Sequence, residues 1–226
     1  PAHATVLREL RDALRARLLQ TRDTGFLTEA ERNRRAQGTT AYELGQRPRE
    51  YPLERILATA EAAASFDSGA VPQLRQALRD PDSGVRYWAV MGLLIRGSQT
   101  VAAAVNDLRN LLEDSSPSVQ VAAARALGLY GTEADLGPAL RVLERLAPPD
   151  KNGAFVSLEA LGAIEALGEK ARPVYPVLRT MPREDPNTVE RSRSYTARFL
   201  AHLLGEDAAD GGPARKRNQP ARKINP

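Results

Sequence analysis

The chain holds two imidazoles, His3 and His202, and no cysteine. That inventory narrows the chemistry at once. A Ser-His-Asp relay would have to use one of those two, and neither stands beside a nucleophile turn of the G-x-S-x-G kind. Disulfides, thiolate catalysis and cysteine-ligated zinc or iron-sulfur sites are excluded. His202 has no second His in its segment and reads as a structural or surface residue, while His3, near the terminus, reads as solvated. Asp80 and Asp82 form the one acid pair with a metal-like look, but they flank Pro81 in a turn, where carboxylates serve as turn formers and helix caps. Glu29 and Glu31, two residues apart, do not face one another on a helix and so make no general acid-base pair. No P-loop, dinucleotide fingerprint or EF-hand spacing occurs. The sequence therefore offers no catalytic residue, no metal ligands and no cofactor site.

The formal net charge of +4 and pI near 9.6 hint at a polyanion partner. Their location argues against it. Residues 211–226 carry Arg215, Lys216, Arg217, Arg222 and Lys223 without an acid, and the rest holds 27 basic against 28 acidic residues. Within 52–210 there are 17 basic and 21 acidic residues, net −4, with few aromatics to stack bases. Nucleic acid is thus disfavoured as a partner, and the basic end reads as a solubilising, disordered tail. No apolar run approaches the ~20 residues of a membrane span. The start at Pro1, without a leader pattern, reads as a fragment or processed chain.

What positions the side chains is a repeat. Sliding the chain by 34 residues aligns VPQLRQALRD and the PDSGVRYWAVMGLLIRG that follows it (71–97) with VNDLRNLLED and the SSPSVQVAAARALGLYG that follows it (105–131). Val71, Leu74, Arg75, Leu78, Asp80, Val85, Ala89, Leu93 and Gly97 recur as Val105, Leu108, Arg109, Leu112, Asp114, Val119, Ala123, Leu127 and Gly131. Leu74 and Leu78 share one helical face, and Val85, Ala89 and Leu93 share the face of the next helix. Turns rich in Asp, Ser and Pro, at 80–84 and 114–118, break the chain between them, and Gly97 and Gly131 read as left-handed helix stops. Each unit is a helical hairpin, and hairpins that cannot bury their apolar faces alone must stack. Two weaker units follow, one ending at Gly168 and one at Gly205. Upstream, residues 52–66 read as a lone capping helix with Leu53, Ile56, Leu57 and Ala60 on one side.

A 34-residue period also fits tetratricopeptide repeats, but Trp88 lies in a second helix and occurs once. The D-P-D-x-x-V-R run of Asp80–Arg86, followed by Ala89 and Leu93, resembles HEAT repeats. In the second unit Gln120 stands where the first has Arg86. The resemblance implies an all-α, right-handed solenoid of helical hairpins, HEAT-like and about four units long, preceded by an amphipathic helix and an irregular linker. Asp80, Val85, Asp114 and Val119 are its structural motif residues. Second helices line the concave face of such arrays, which makes Arg86, Tyr87, Gln120 and Arg125 the candidate binding residues. Trp88 reads as packed against the preceding unit.

Before the repeats, Leu7, Leu10, Leu14 and Leu18 recur at helical spacing, so 2–20 is an amphipathic helix that must dock on something. Thr24-Gly25 ends it, TEAE caps a short helix, and Gly38, Gly45, Pro48 and Pro52 punctuate a long loop. The runs LRDALRARLLQTRDTGFLTEAE, TAYELG and YPLERILATAEAA resemble the region after the catalytic domain in bacterial sulfatases of the arylsulfatase and heparan N-sulfatase type. The resemblance divides the chain into the tail helix of an absent catalytic domain (1–20), a linker that lay against it (21–51), a HEAT-like interaction domain (52–205) and the basic tail (206–226). It implies a periplasmic or extracellular parent enzyme using calcium and formylglycine, though the residues themselves leave a cytoplasmic location open. This chain has no C/S-x-P-S-R motif and inherits no catalytic or metal residue. Its partners would be its own catalytic domain or another protein, with a sulfated glycan conceivable through the Arg side chains. The alternative is a free-standing HEAT scaffold for protein partners.

Overall fold

The computed structural model describes residues 3–206; the tail cations Arg215, Lys216, Arg217, Arg222 and Lys223 lie outside the described residues. Helix α1 (Ala4–Thr21) is followed by two short helices, α2 (Glu29–Arg35) and α3 (Ala41–Gly45), and then by α4 (Leu53–Ala64). The first hairpin joins α5 (Val71–Ala77) to α6 (Ser83–Ile95), and α7 (Ser98–Ala103) leads into the second, α8 (Val105–Asn110) with α9 (Pro117–Tyr130). In the third, α10 (Glu133–Leu146) meets α12 (Ala154–Leu167) across a turn of helix, α11 (Pro149–Asn152). A 3-10 stretch, Gly168–Val174, and α13 (Tyr175–Thr180) lead into α14 (Glu190–Leu204). No strand occurs among the described residues. The described residues form an all-helical solenoid of stacked hairpins.

The repeat positions carry the stack. Leu74, Leu78, Val85, Ala89 and Leu93, and their counterparts Leu108, Leu112, Val119, Ala123 and Leu127, are all buried. All but Val85 join Leu143, Leu161, Ile164, Leu178 and Leu200 in one continuous core from the first hairpin to the last. On α4, Leu53, Ile56, Leu57 and Ala60 are buried, and that helix packs on α6.

The turns show the chemistry of the shared acids. Asp80 accepts a bond from the Asp82 backbone N–H at 2.8 Å, and Asp114 accepts the corresponding one from Ser116 at 2.8 Å. Asp82 then caps α6 by accepting from Gly84 and Val85. The two glycine stops differ. Gly97 has φ 88°, a positive angle that favours glycine, but its ψ of −161° lies outside the left-handed helical geometry expected of it. Gly131 is extended, at φ −73° and ψ −175°; a Cβ there would lie 2.9 Å from the Cβ of Asp135, so close approach and not left-handed geometry favours glycine. Helix α1 likewise stops before Thr24-Gly25, at Arg22 in the left-handed region (φ 55°). Arg22 is held there by Nε donating to the Gly45 carbonyl at 2.7 Å.

The segment expected to be mostly loop is folded onto the repeats. Thr40 and Glu43 form a capping box that starts α3 inside GTTAYELG. Leu27, Leu44 and Tyr51 are buried in a second apolar cluster with Leu53, Ile56, Leu57 and Val85. Trp88 packs against that cluster and donates from Nε1 to the Phe26 carbonyl at 2.8 Å, so the array's one tryptophan grips the N-terminal segment.

Glu31 lies at the centre of this junction and is 3% exposed. It accepts from the hydroxyls of Ser83, at the start of α6, and Ser116, which caps α9, and from Arg34 and Arg35. Arg35 also donates to Asp82 at 2.8 Å. Burial alone would raise the Glu31 carboxyl; the bonds from Arg34, Ser83 and Arg35 outweigh it and hold it at about 2.

By contrast, α1 buries no residue. Val6, Leu7, Leu10 and Leu14 are 48–64% exposed, and only Leu18 and Leu19 reach the second cluster.

A candidate interaction groove on the second helices

Helices α6, α9, α12 and α14 pack successively, each on the next. Their core-facing residues are the repeat's own Val, Ala and Leu positions, so the residues on the opposite side are left to line a groove. Two adjoining cavities lie there. One, of about 230 Å³, is walled by Tyr87 and Met91 of α6, Arg125 of α9, and Leu158 and Glu159 of α12, with Ala122, Gly162 and Ala163 as small floor residues. The other, of about 600 Å³, is lined by Leu158, Tyr195, Arg198, Phe199 and His202. Leu158 is common to both, so the polar pocket opens beside an aromatic shelf.

The pocket's polar groups are incompletely paired. Arg125 Nε and Glu159 Oε2 are both screened from water without a hydrogen-bond partner. Burial raises the Glu159 carboxyl, the Ser118 and Thr28 hydroxyls act against that rise, and the charge of Glu31 adds to it. Tyr87 is pushed up to about 12 by burial first and then by the charge of Glu159, with Arg125 opposing. An edge-to-face contact with Trp88, 5.8 Å between centroids, fixes the Tyr87 ring. On the shelf, Phe199 stacks on His202, and His202 Nε2 lies 3.2 Å from Glu165 Oε1.

Of the four candidate binding residues, Tyr87 and Arg125 meet in this pocket and Arg86 and Gln120 do not line it. Arg86 forms a bidentate pair with Asp114 of the next unit, both bonds 2.7 Å, and donates to the Asp80 and Pro81 carbonyls. Gln120, one repeat later, occupies the same place: its Nε2 donates to the Asp114 carbonyl as Arg86 does to that of Asp80, and its Oε1 accepts from Arg145 at 2.7 Å. Arg109 pairs with Asp135 at 2.6 Å. These residues bind unit to unit.

Glu159, Leu158, Tyr195 and Phe199 were not singled out from the sequence. Glu159 carried a signal, as the one acid in the first two turns of the largely apolar AFVSLEALGAIEAL. A charge in such a helix needs either a partner or a cavity.

Among the described residues no group of three or more His, Cys, Asp or Glu could hold a metal ion, and no helix is long and apolar enough to cross a membrane. Residues 71–162 match the family model for HEAT repeats. No curated protein matches the chain. The stacked helical pairs make a helical-repeat solenoid, and over residues 71–162 they are similar to HEAT repeats.

Proposed function

We propose that the chain is a non-catalytic interaction module whose protein partner lies in the groove of α6, α9, α12 and α14. The observation that carries this is the unpaired, water-screened Arg125 Nε and Glu159 Oε2 beside an aromatic shelf. Polar atoms left without partners in a folded chain cost stability unless something pairs them, and Arg125 and Glu159 would gain partners by turning toward an occupant of the groove. Selection of a random displayed-peptide library on the chain tests it. Ligands should emerge whose binding falls at least about tenfold in Tyr195→Ala, a shelf residue whose loss leaves the core intact. Ligands indifferent to Tyr195→Ala and to Gly162→Leu would move the function off this groove.

The bare face of α1 favours a finer reading: the module belongs to a sulfatase, and α1 docks on its catalytic domain. Support comes from the resemblance of residues 5–66 and from the exposed Val6, Leu7, Leu10 and Leu14. Calcium and formylglycine then belong to that other domain, and the location is periplasmic or extracellular. A sulfated glycan as groove ligand would rest on Arg125 and Arg198, with Glu159 opposing it. The test is the parent reading frame. A C/S-x-P-S-R motif upstream, with co-purification of the two domains lost in Leu10→Glu/Leu14→Glu, supports the reading; a start codon directly before Pro1 sinks it.

A further inference from the structure

Resting on the groove reading above, we infer that the Tyr87–Arg125–Glu159 pocket is a specificity pocket for a neutral primary carboxamide, the side chain of a glutamine or asparagine in the bound partner. The inference follows from what each kind of occupant would leave unpaired. A guanidinium on one wall and a carboxyl on another form no ion pair with each other, and both contribute an unsatisfied atom. An aliphatic side chain would fill the space and leave Arg125 Nε and Glu159 Oε2 without a partner. A ligand carboxylate would suit Arg125 and face the carboxyl of Glu159, whereas a ligand ammonium would suit Glu159 and face Arg125. A carboxamide serves both: its C=O accepts from the guanidinium and its N–H donates to the carboxyl, with no charge to desolvate. Long side chains let Arg125 and Glu159 turn toward such a group by rotation about their own bonds.

Geometry separates the side chain from the peptide backbone. In a trans peptide group the N–H and C=O point in opposite directions, so one backbone amide cannot present both from a single tip. A primary carboxamide has an N–H beside its C=O and can do so from its tip. The cavity of about 230 Å³ suits one side chain and not a helix. The raised Glu159 leaves the match intact, because a protonated carboxyl donates through its hydroxyl and accepts through its carbonyl, and the carboxamide complements that arrangement too. Tyr87 adds a phenol that stays protonated and can bond to either end of the amide.

Gly162 provides a control that keeps the fold. A Cβ there would meet nothing nearer than Phe199 Cε1, at 3.9 Å, so a longer side chain fits without displacing the core and crowds the floor between the pocket and the shelf. The probes are four capped single residues, N-acetyl methylamides of glutamine, glutamate, lysine and norleucine. They are titrated into the full chain while ¹H–¹⁵N NMR follows the Gly162 amide and the Arg125 Nε–H. The glutamine probe should shift both signals and bind at least about tenfold more tightly than the other three, since each of those leaves a pocket group unpaired or opposed. In Gly162→Leu the response of the Arg125 Nε–H should vanish while circular dichroism and the melting transition stay those of a folded chain. In Arg125→Met the preference should pass to lysine, the cation that Glu159 alone would favour. Equal or tighter binding of the glutamate, lysine or norleucine probe to the wild-type chain overturns the inference. So does a glutamine probe that moves neither signal at tens of millimolar. Either result leaves the groove reading to its own test, which depends on selected peptides and on Tyr195→Ala.

Discussion

The carboxylate of Glu31 accepts a hydrogen bond of 2.9 Å from the hydroxyl of Ser116, which lies 85 residues further along the chain. Glu31 also takes the hydroxyl of Ser83, so one acid of the N-terminal segment ties together the starts of α6 and α9. Ser116 caps α9 without a side-chain bond to its backbone because its hydroxyl points to Glu31.

Glu31→Gln should loosen this junction and flatten the acid limb of stability. The carboxyl is held at about 2 against an ordinary 4.5, so it binds fewer protons folded than unfolded just below 4.5. Its contribution is therefore complete above about pH 5 and is lost as pH falls toward 2, with a magnitude of about 3 kcal/mol. Thermal unfolding of both proteins from pH 7 to pH 2 measures it. Equal acid slopes would show that Glu31 is not the linked group.

Hydrogen exchange should separate two parts of the N-terminal region. Reading the sequence for period alone makes 21–50 a fast-exchanging linker. With Leu27, Leu44 and Tyr51 buried and Trp88 bonded to Phe26, α2, α3 and their flanks should instead exchange on the scale of α6. The fast part should be the first three turns of α1, where Val6, Leu7, Leu10 and Leu14 are exposed.

Two helical glycines at equivalent repeat positions should respond oppositely to alanine. At Gly128 a Cβ would lie 2.6 Å from Leu167 Cδ2 in the core, so Gly128→Ala should cost about 1–3 kcal/mol. Gly162 has open space, so Gly162→Ala should gain up to ~1 kcal/mol from helix propensity alone. Urea unfolding of both variants checks the sign of each.

Leu127, 1% exposed, lies in the middle of the continuous core. Leu127→Ala should cost roughly 2–5 kcal/mol, and an unchanged melting transition would place it outside that core.

Arg86 and Asp114 should behave as a coupled pair across units. Arg86→Met or Asp114→Asn alone leaves a largely buried charge unpaired and should cost about 3–5 kcal/mol. The double substitution should cost less than the sum of the two, as a double-mutant cycle would measure.

The hairpins, their apolar faces and their turn acids were legible in the sequence because all are local: a spacing of three and four residues, a Pro or Asp at a break, a repeat at 34. The same local reading misjudged the stops at Gly131 and Thr24-Gly25, because φ is set by what the next segment packs against. It grouped Arg86 with Tyr87 although the two, adjacent on one helix turn, face a neighbouring turn and an open groove respectively.

By itself, then, the sequence determined an all-helical stack and excluded cysteine chemistry, since composition and periodicity act within each hairpin. Only the tertiary structure decided where residues 21–51 lie and which side chains share the groove. Glu31 meets Ser83 and Ser116, and Arg125 meets Glu159 and Tyr87, across 34 to 85 residues of chain. No local spacing records such meetings, because they depend on how one hairpin rotates onto the next and on which polar atoms that packing leaves without a partner.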